Sequence, residues 1–335
     1  MTPSGLTGLA RMRTGPHRQR GLAMLVAILL VALGTILAAT VAYESAMSAR
    51  RGTATFSFDE ALLISEGAEA LAAYGLRAVK QANKSATGTT DIYPAQPWAQ
   101  PVGPLEVAPG VTLEASLEDM QGRFNLNWLV MPDGTDRPNP VAVAAFTHLL
   151  ELLDIEPRWT DLVVDWIDRG QTPMPEGAED SAYLGQNPPY LTANQFITST
   201  SELLALPGFG HERYTKLAPF ISALPPGTLL NICSAKAQVL DAFIPGRTDF
   251  SSDPDGLEKN RENAGACFPK ANDYKAAFTP GDYEKVSGLF STKSSYFRLS
   301  SLVTIGTAEF NLYSLLYQDD NASLVRPILR TFSAD

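Results

Sequence analysis

Residues 22–42 read LAMLVAILLVALGTILAATVA, an uninterrupted apolar run that contains no charged side chain. About 20 consecutive apolar residues are enough for a helix to cross the hydrocarbon core of a bilayer. The apolar side chains would surround the whole helix instead of forming one stripe, which argues against a half-buried helix of a soluble domain. The run therefore predicts a transmembrane helix over residues 22–43.

The residues before this run set its orientation. Residues 1–21 carry four basic side chains and no acidic one; the basic residues are Arg11, Arg13, Arg18 and Arg20. Because basic flanks stay in the cytoplasm, the sequence predicts a cytoplasmic N-terminus and a main domain on the other side of the membrane. The alternative is a secretory signal peptide with an exit at Ala38–Ala39–Thr40, although the apolar run is long for that role.

Charge and composition narrow the class of function. The chain has 335 residues and a formal net charge of −10. An acidic chain is a poor partner for nucleic acid, whose binding depends on Lys and Arg, whereas it suits hard cations such as Ca²⁺. No glycine-rich phosphate loop, zinc-binding histidine pair or G-x-S-x-G elbow is present, so the sequence predicts a protein that is not an enzyme.

Hydrophobic periodicity beyond the span changes twice. Residues 44–84 lack proline and carry apolar residues, including Ala61, Ala68 and Leu71, at steps of three and four, which predicts that the helix continues. A proline-rich linker is expected over residues 85–110. Alternating patterns then predict strands at 111–117, 123–129, 297–305, 310–316 and 322–332. Helical patterns lie between them, at 141–154, 158–167, 199–223 and 235–243, and residues 246–285 are expected to form a polar loop.

This order predicts an α+β fold, in which a long N-terminal helix packs on an antiparallel sheet and a large helical domain is inserted. The expected boundaries are a leader at 1–21, a membrane helix at 22–43, the first part of the head at 44–135, the inserted domain at 136–290, and the final strands at 291–335.

The leader and the span together resemble a type IV prepilin signal. Basic residues lead to Gly21, and the apolar helix begins at once with Leu22. The resemblance implies that a prepilin peptidase cuts after Gly21 and leaves the helix attached to the mature chain. Most pilins have Glu as the fifth mature residue, and here that position is Val26.

An ordered set of motifs is similar to one family, the minor pseudopilin K of the type II secretion system. They are D-M-Q-G-R-F-N-L-N at 119–127, D-W-I-D at 165–168, P-E-G-A-E-D-S-A-Y at 175–183, S-E-L-L-A-L-P-G at 201–208 and L-P-P-G-T-L-L-N at 224–231. The resemblance implies a pilin-like head in the periplasm, anchored in the cell inner membrane. It also implies assembly at the pseudopilus tip, with other minor pseudopilins, the prepilin peptidase and the inner-membrane secretion platform as partners.

Val26 has a physical explanation under this resemblance. In a pilus-like stack, the position-five Glu neutralises the amino terminus of the subunit ahead, and a carboxylate in hydrocarbon is costly without that partner. A subunit at the tip has no subunit ahead, so an apolar residue suits it better. Taken alone, Val26 is better explained as a lipid-facing residue of a membrane helix.

Carboxylates crowd residues 165–183. We predict that Asp168, Glu179 and Asp180 hold a Ca²⁺ ion, with Asp165 as a further candidate, because Ca²⁺ takes six to eight oxygens from irregular loops. From the residues alone, a solvated acidic loop is an equal alternative. The resemblance favours calcium, since this family binds it in the helical insertion.

Two further features call for an interpretation. Cys233 and Cys267 are the only cysteines, and an even pair outside the cytoplasm predicts a disulfide.

The stretch 206–210, L-P-G-F-G, resembles a helix-hairpin-helix turn, which suggests the alternative function of a membrane-anchored DNA receptor. The acidic balance favours a plain glycine turn between packed helices.

Overall fold

The computed structural model describes residues 20–319 and 324–333. Helix α1 spans Arg20–Thr87. It is the one helix in these ranges that is long and apolar enough to cross a membrane, and its apolar window contains no buried side chain. The predicted transmembrane segment lies within it, whereas residues 1–19 of the predicted leader lie outside the described residues.

The described residues divide into two compact units, with the boundary between Asp59 and Glu60. The second unit contains the end of α1 and all other elements, with short 3₁₀ turns between several of them. The strands and helices in chain order are β1 (Val102–Ala108), β2 (Val111–Asp119), β3 (Phe124–Asn125), α2 (Pro140–Leu152), α3 (Trp159–Ile167), α4 (Asp180–Tyr183), α5 (Gly210–Leu217), β4 (Ile221–Ser222), β5 (Leu230–Asn231), α6 (Ala237–Ala242), α7 (Pro254–Ala264), α8 (Ala271–Ala276), α9 (Asp282–Val286), β6 (Phe290–Ser291), β7 (Tyr296–Ile305), β8 (Ala308–Gln318) and β9 (Val325–Thr331).

A five-stranded sheet has the order β1-β2-β7-β8-β9, and every neighbouring pair is antiparallel. The register of β2 on β7 runs from Val111 opposite Ile305 to Asp119 opposite Phe297. Residues 120–295 therefore leave the sheet at the end of β2 and return beside it at β7. The predicted α+β class, with a long N-terminal helix and an antiparallel sheet, is confirmed.

Helix α1 packs on the sheet through small side chains. Ala61, Ala68 and Ala72 are buried together with Leu76, against Phe297 and other residues of β2, β7 and β8. Small residues allow the helix backbone to lie close to the sheet. The predicted apolar face included Leu71, and this part of the prediction is wrong because Leu71 is 64% exposed. The buried face is centred on the alanines, so Leu71 is left facing solvent.

An ion pair closes the far edge of the sheet onto α1. Glu69 is buried on the helix and accepts hydrogen bonds from Nε and Nη2 of Arg330 on β9, at 2.9 and 2.6 Å. Ser314 on β8 donates to the same carboxylate at 2.6 Å. Because a carboxylate this deeply buried needs its partners, Glu69 fixes β8 and β9 to the helix.

The residues between β2 and β7 form a second core, centred on aromatic side chains. Phe124 stacks on Phe146 of α2 and on Phe243 just after α6, with ring centroids 5.2 and 5.9 Å apart. Trp159 of α3 packs edge-on against Phe209 at 5.1 Å. Two short parallel ladders, β3 with β4 and β5 with β6, hold the connecting segments in place.

Three local predictions are wrong. The strand expected over residues 123–129 is only the two-residue β3 followed by a 3₁₀ turn, because the Asn125 side chain accepts a hydrogen bond from the Asn127 amide and bends the chain. Residues 102–108, expected in the linker, form the edge strand β1, where proline is tolerated. The polar segment 246–285 contains α7, α8 and the start of α9; α7 buries Leu257 and Arg261, α8 buries Tyr274, and α9 buries Val286 at its end.

Candidate functional site

A buried polar junction lies where the chain leaves the sheet. The Asp119 carboxylate accepts hydrogen bonds from the Gln121 amide at 2.9 Å, from Asn231 Nδ2 at 2.8 Å and from Ser294 Oγ at 2.6 Å. The Ser234 hydroxyl is a further donor to it. Burial raises the pKa of Asp119 despite these four donors. This single carboxylate therefore joins β2 to two segments more than a hundred residues away.

Gly122 completes the same junction by leaving room for a second backbone. A Cβ atom at this position would lie 2.5 Å from the carbonyl oxygen of Ser234. Gln121 donates to the Leu229 carbonyl at 2.8 Å and accepts from the Ser295 amide at 2.6 Å. The residue types of the motif at 119–127 are thus explained by the hydrogen bonds that they make to buried backbone groups and by the space that they leave for them.

The two asparagines at the end of that motif act in the same way. Asn125 accepts from the Leu224 amide at 3.1 Å and donates to the Pro225 carbonyl at 3.1 Å. Asn127 accepts from the Ile197 amide at 2.8 Å and donates to the Ile197 and Leu224 carbonyls. Both side chains replace the backbone partners that these irregular segments lack.

The predicted cation ligands come together at the meeting point of two helices. Asp165 lies in the last turn of α3 and Asp168 directly follows that helix; Glu179 precedes α4 and Asp180 begins it. Asp165, Asp168 and Glu179 are all buried. Their negative charges repel one another. Asp168 raises the pKa of Asp165, and both aspartates raise the pKa of Glu179.

Each carboxylate has a different set of partners. The Met174 amide donates to both oxygens of Asp165 at 3.1 Å, and the Gly170 amide donates to Asp168 at 2.8 Å. Asp180 accepts from the amide and hydroxyl of Thr192, at 3.1 and 2.6 Å. Glu179 differs from them, because neither of its buried carboxylate oxygens has a hydrogen-bond partner.

The electrostatics follow from this burial. Desolvation, reinforced by repulsion from Asp165, Asp168 and Asp180, raises the pKa of Glu179 to about 7. Desolvation, with a smaller contribution from Asp168, raises the pKa of Asp165 to about 6. Burial also raises the pKa of Asp168. An unpartnered carboxylate among repelling carboxylates fits a cation in charge and in donor type.

The residues that shape this site were not all predicted. Gly177 faces Asp165 so closely that a Cβ atom there would lie only 1.8 Å from its Oδ2 atom. The buried Tyr183 hydroxyl has no partner in the structure and is close enough to Glu179 for that charge to raise the pKa of the tyrosine. Across the described ranges, no three His, Cys, Asp or Glu side chains are already arranged to hold a metal ion. Any ion would therefore draw on backbone oxygens or solvent as well.

The two cysteines form a disulfide. Cys233 follows β5 and Cys267 follows α7, and the bond joins them across a sequence separation of 34 residues. A loop of this size corresponds to about 3–4 kcal/mol of stabilisation in the loop-entropy model. The bond ties the polar segment that carries α7 to the buried strand β5.

In the helix-hairpin-helix-like turn, the arginine that follows it is already paired within the fold. Arg213 makes a bidentate ion pair with Glu156, at 2.7 and 2.6 Å, and its guanidinium lies over the Trp159 ring at 5.4 Å. Its Nη1 donates to the Phe209 carbonyl at 3.0 Å, which keeps it on the turn itself. Gly208 has a φ of 81°, so the glycine is needed for the turn. This arrangement favours a structural turn over a phosphate contact.

The N-terminal positions lie on α1. Gly21 is within the helix, and Leu22 and Val26 are exposed in the apolar segment. Val26 lies one helical turn after Leu22, and its apolar side chain can neither donate nor accept a hydrogen bond.

Comparisons with known proteins agree on one family. A family model described as type II secretion system (T2SS), protein K, matches residues 122–226. Type II secretion system protein K of Pseudomonas aeruginosa is 30% identical over 322 residues, which cover 93% of this chain and 92% of the relative. The Aeromonas hydrophila protein of that name is 30% identical over 92% of this chain and 96% of its own length.

A solved structure shares the fold. It is a chain of the crystal structure of the GspK-GspI-GspJ complex from the enterotoxigenic Escherichia coli type 2 secretion system. The TM-score is 0.71 at 24% identity, and the match covers 85% of this chain and all of the other.

We predict that Gly122→Ala disrupts the polar junction. The added Cβ atom would meet the Ser234 backbone at 2.5 Å, so the free energy of unfolding should fall by about 2–4 kcal/mol. The matched control is Gly227→Ala, where a Cβ atom has no neighbour within 4 Å and the change should be within about 0.5 kcal/mol. Urea unfolding of the full chain in detergent measures both. Equal stability of the two variants would show that the close approach at Gly122 does not matter.

Proposed function

The chain belongs to the type II secretion system protein K family, and we propose that it is a non-enzymatic minor pseudopilin that caps the tip of the periplasmic pseudopilus. The observation that carries this proposal is the family match over nearly the whole chain, together with an N-terminal apolar helix that continues into a sheet-packed head. The solved relative was crystallised in complex with GspI and GspJ, which supports other minor pseudopilins as partners. Binding, and not turnover, is the chemistry of this role.

Membrane insertion and processing are part of the proposal. The basic leader stays in the cytoplasm and the head lies in the periplasm, so the chain is a single-pass protein of the inner membrane. Prepilin peptidase removes residues 1–21 after Gly21, and the mature chain then reaches the secretion platform through its exposed apolar helix. Val26 becomes the fifth residue, and its lack of a carboxylate suits a subunit with none ahead of it.

The partner surface is the side of α1 that faces away from the sheet. Leu63, Leu71 and Tyr74 are all exposed there, although they are large and apolar. Residues spaced in this way lie on one face of a helix, opposite the buried alanines. Such a stripe supports packing against the helix of a neighbouring subunit.

The last part of the proposal is that Ca²⁺ binds at the acidic site between α3 and α4. Glu179, Asp168 and Asp165 would hold the ion, with Asp180 as a further candidate. A bound divalent cation supplies positive charge that removes the mutual repulsion of these carboxylates. The two unpartnered oxygens of Glu179 support this assignment most directly. Thr192 donates two hydrogen bonds to Oδ1 of Asp180, so its Oδ2 atom is the oxygen that Asp180 would offer, whereas both oxygens of Asp165 already accept from the Met174 amide.

The assembly proposal predicts that the full chain co-purifies with the minor pseudopilins I and J of the same cell. Leu71→Asp should lower the recovery of these partners about tenfold or more, because it places a charge in an apolar contact. Leu191→Asp is the control, since Leu191 is similarly exposed but lies away from α1. Failure of the wild-type chain to recover either partner, or retention of duplex DNA instead, would favour the DNA-receptor alternative.

The processing proposal predicts the N-terminus of the mature protein. Sequencing of the chain extracted from membranes should begin at Leu22, and Gly21→Val should leave the leader attached. A start near Thr40, with release of soluble protein, would mean that the apolar run is a cleaved signal peptide.

The calcium proposal predicts a pH-dependent stability. Without Ca²⁺, the raised pKa of Glu179 means that the folded state favours the protonated carboxyl. The contribution of Glu179 to the free energy of unfolding is therefore fully present below about pH 4.5 and is lost, by on the order of 1–2 kcal/mol, as the pH rises from about 4.5 through about 7. Ca²⁺ at a hundred times its Kd should restore about 2.7 kcal/mol. Mg²⁺ should restore little, because it keeps its waters and demands a tight octahedron.

Glu179→Gln should remove the calcium response and the loss of stability between about pH 6 and 7, whereas the raised pKa of Asp165 leaves the loss below about pH 6. Glu176→Gln is the matched control, because Glu176 lies in the same loop with its side chain exposed. Thermal melting of the full chain with chelator, Ca²⁺ or Mg²⁺ measures each case. If wild type melts identically in all three, the acidic loop binds no structural cation, and the pseudopilin assignment is unaffected.

A further inference from the structure

A cluster of positive charge lies in the corner between the sheet and the inserted residues. Glu118 on β2 accepts hydrogen bonds from Nε and Nη2 of Arg123 at 2.9 and 2.6 Å, all on its Oε1 atom. Its other oxygen accepts from Nη2 of Arg298 on β7 at 2.8 Å. One carboxylate is therefore shared by two guanidinium groups.

The positive charge of this corner exceeds the negative charge. Burial, followed by repulsion from Arg123 and Arg298, lowers the pKa of Lys236 nearby. The neighbouring Arg261 is neutralised by its own partner, Glu258, at 2.9 Å. Glu258 also acts on Lys236, so among the described residues of this corner four cationic side chains share two carboxylates, those of Glu118 and Glu258. Charge that is partly buried without a counter-ion is costly, so the corner favours an added anion.

A cleft of about 250 Å³ opens at this corner, and both of its charged lining residues are arginines, Arg123 and Arg298. Each of the three guanidinium nitrogens of Arg123 already donates a hydrogen bond, because its Nη1 also donates to the Ala218 carbonyl at 2.9 Å. Arg298 is less occupied: its one hydrogen bond to the described residues runs from Nη2 to Glu118, and 24% of its side chain remains exposed. The available donor in the cleft is therefore the guanidinium of Arg298.

The remaining lining indicates what kind of anion fits. Tyr313, Leu315 and Leu329 from β8 and β9 contribute apolar surface to the lining, and Thr200 and Thr331 contribute hydroxyl groups. A small inorganic anion gains no binding energy from apolar surface. A carboxylate side chain flanked by apolar residues can contact both the arginine and the apolar residues of the lining. The volume admits a short peptide segment and not a folded domain.

We propose that this cleft binds an acidic peptide segment of a partner protein, with the peptide carboxylate paired to the Arg298 guanidinium. The proposal does not depend on the position of the chain at a pseudopilus tip, because it rests on the charges and the shape of the corner alone.

The test uses the full chain in detergent and two fluorescein-labelled pentapeptides, acetyl-Ser-Leu-Glu-Leu-Ser-amide and its Gln counterpart. Fluorescence polarisation at low salt should show the Glu peptide binding at least about tenfold more tightly, because a charge-assisted hydrogen bond is lost in the Gln peptide. Arg298→Gln should reduce binding of the Glu peptide to the level of the Gln peptide. Arg326→Gln, which removes an exposed arginine from β9, should leave binding unchanged.

Equal affinity for the two peptides, or unchanged binding by Arg298→Gln, overturns the proposal. Competition by inorganic phosphate at the same concentration as the peptide would also overturn it, since the site would then recognise any anion. Circular dichroism checks that Arg298→Gln folds. If it does not, Arg298→Lys takes its place, because it keeps the charge beside Glu118 but lacks the planar guanidinium that pairs with a carboxylate, and it must still weaken binding of the Glu peptide.

Discussion

The buried carboxylate of Asp119 is the constraint on which the rest of the head depends. It lies at the last position of β2, where the chain leaves the sheet, and it must collect donors from Asn231, Ser234 and Ser294 to be tolerated there. Those donors come from the end of β5 and from the segment that leads back into β7. The exit and the return of the inserted residues are thereby fixed at one point. The α3–α4 acidic site and the arginine cleft owe their positions relative to the sheet to this junction.

The sequence predicts those elements whose side chains follow a simple period. The apolar run of α1, the alternation in β2, β7 and β8, and the helices α2 and α3 all have one dominant environment along their length. The missed elements lack such an environment. Strand β1 lies at the edge with its side chains exposed, so it shows no alternation, and residues 124–130 are buried on every side, so their apolar pattern does not distinguish a strand from a buried turn.

The candidate sites could be predicted in composition but not in detail. The carboxylates at 165–180 were visible as a dense acidic stretch, yet which of them is unpartnered depends on amide groups of Met174, Gly170 and Thr192 that the fold brings to the other three. The arginine cleft could not be predicted at all. Glu118 and Arg298 are direct cross-strand partners in the β2–β7 register, but they are far apart in sequence and no motif joins them.

The two sites carry opposite charge on one acidic chain, and this determines how an acidic partner would be recognised. A net charge of −10 opposes the approach of an acidic segment at long range. Screening limits that opposition to about 8 Å at physiological ionic strength. Within that distance, the exposed part of the Arg298 guanidinium and the apolar residues beside it determine whether the segment binds. Affinity in the cleft must therefore come from short-range contacts, so that it selects the shape of the segment that carries the carboxylate and not negative charge in general.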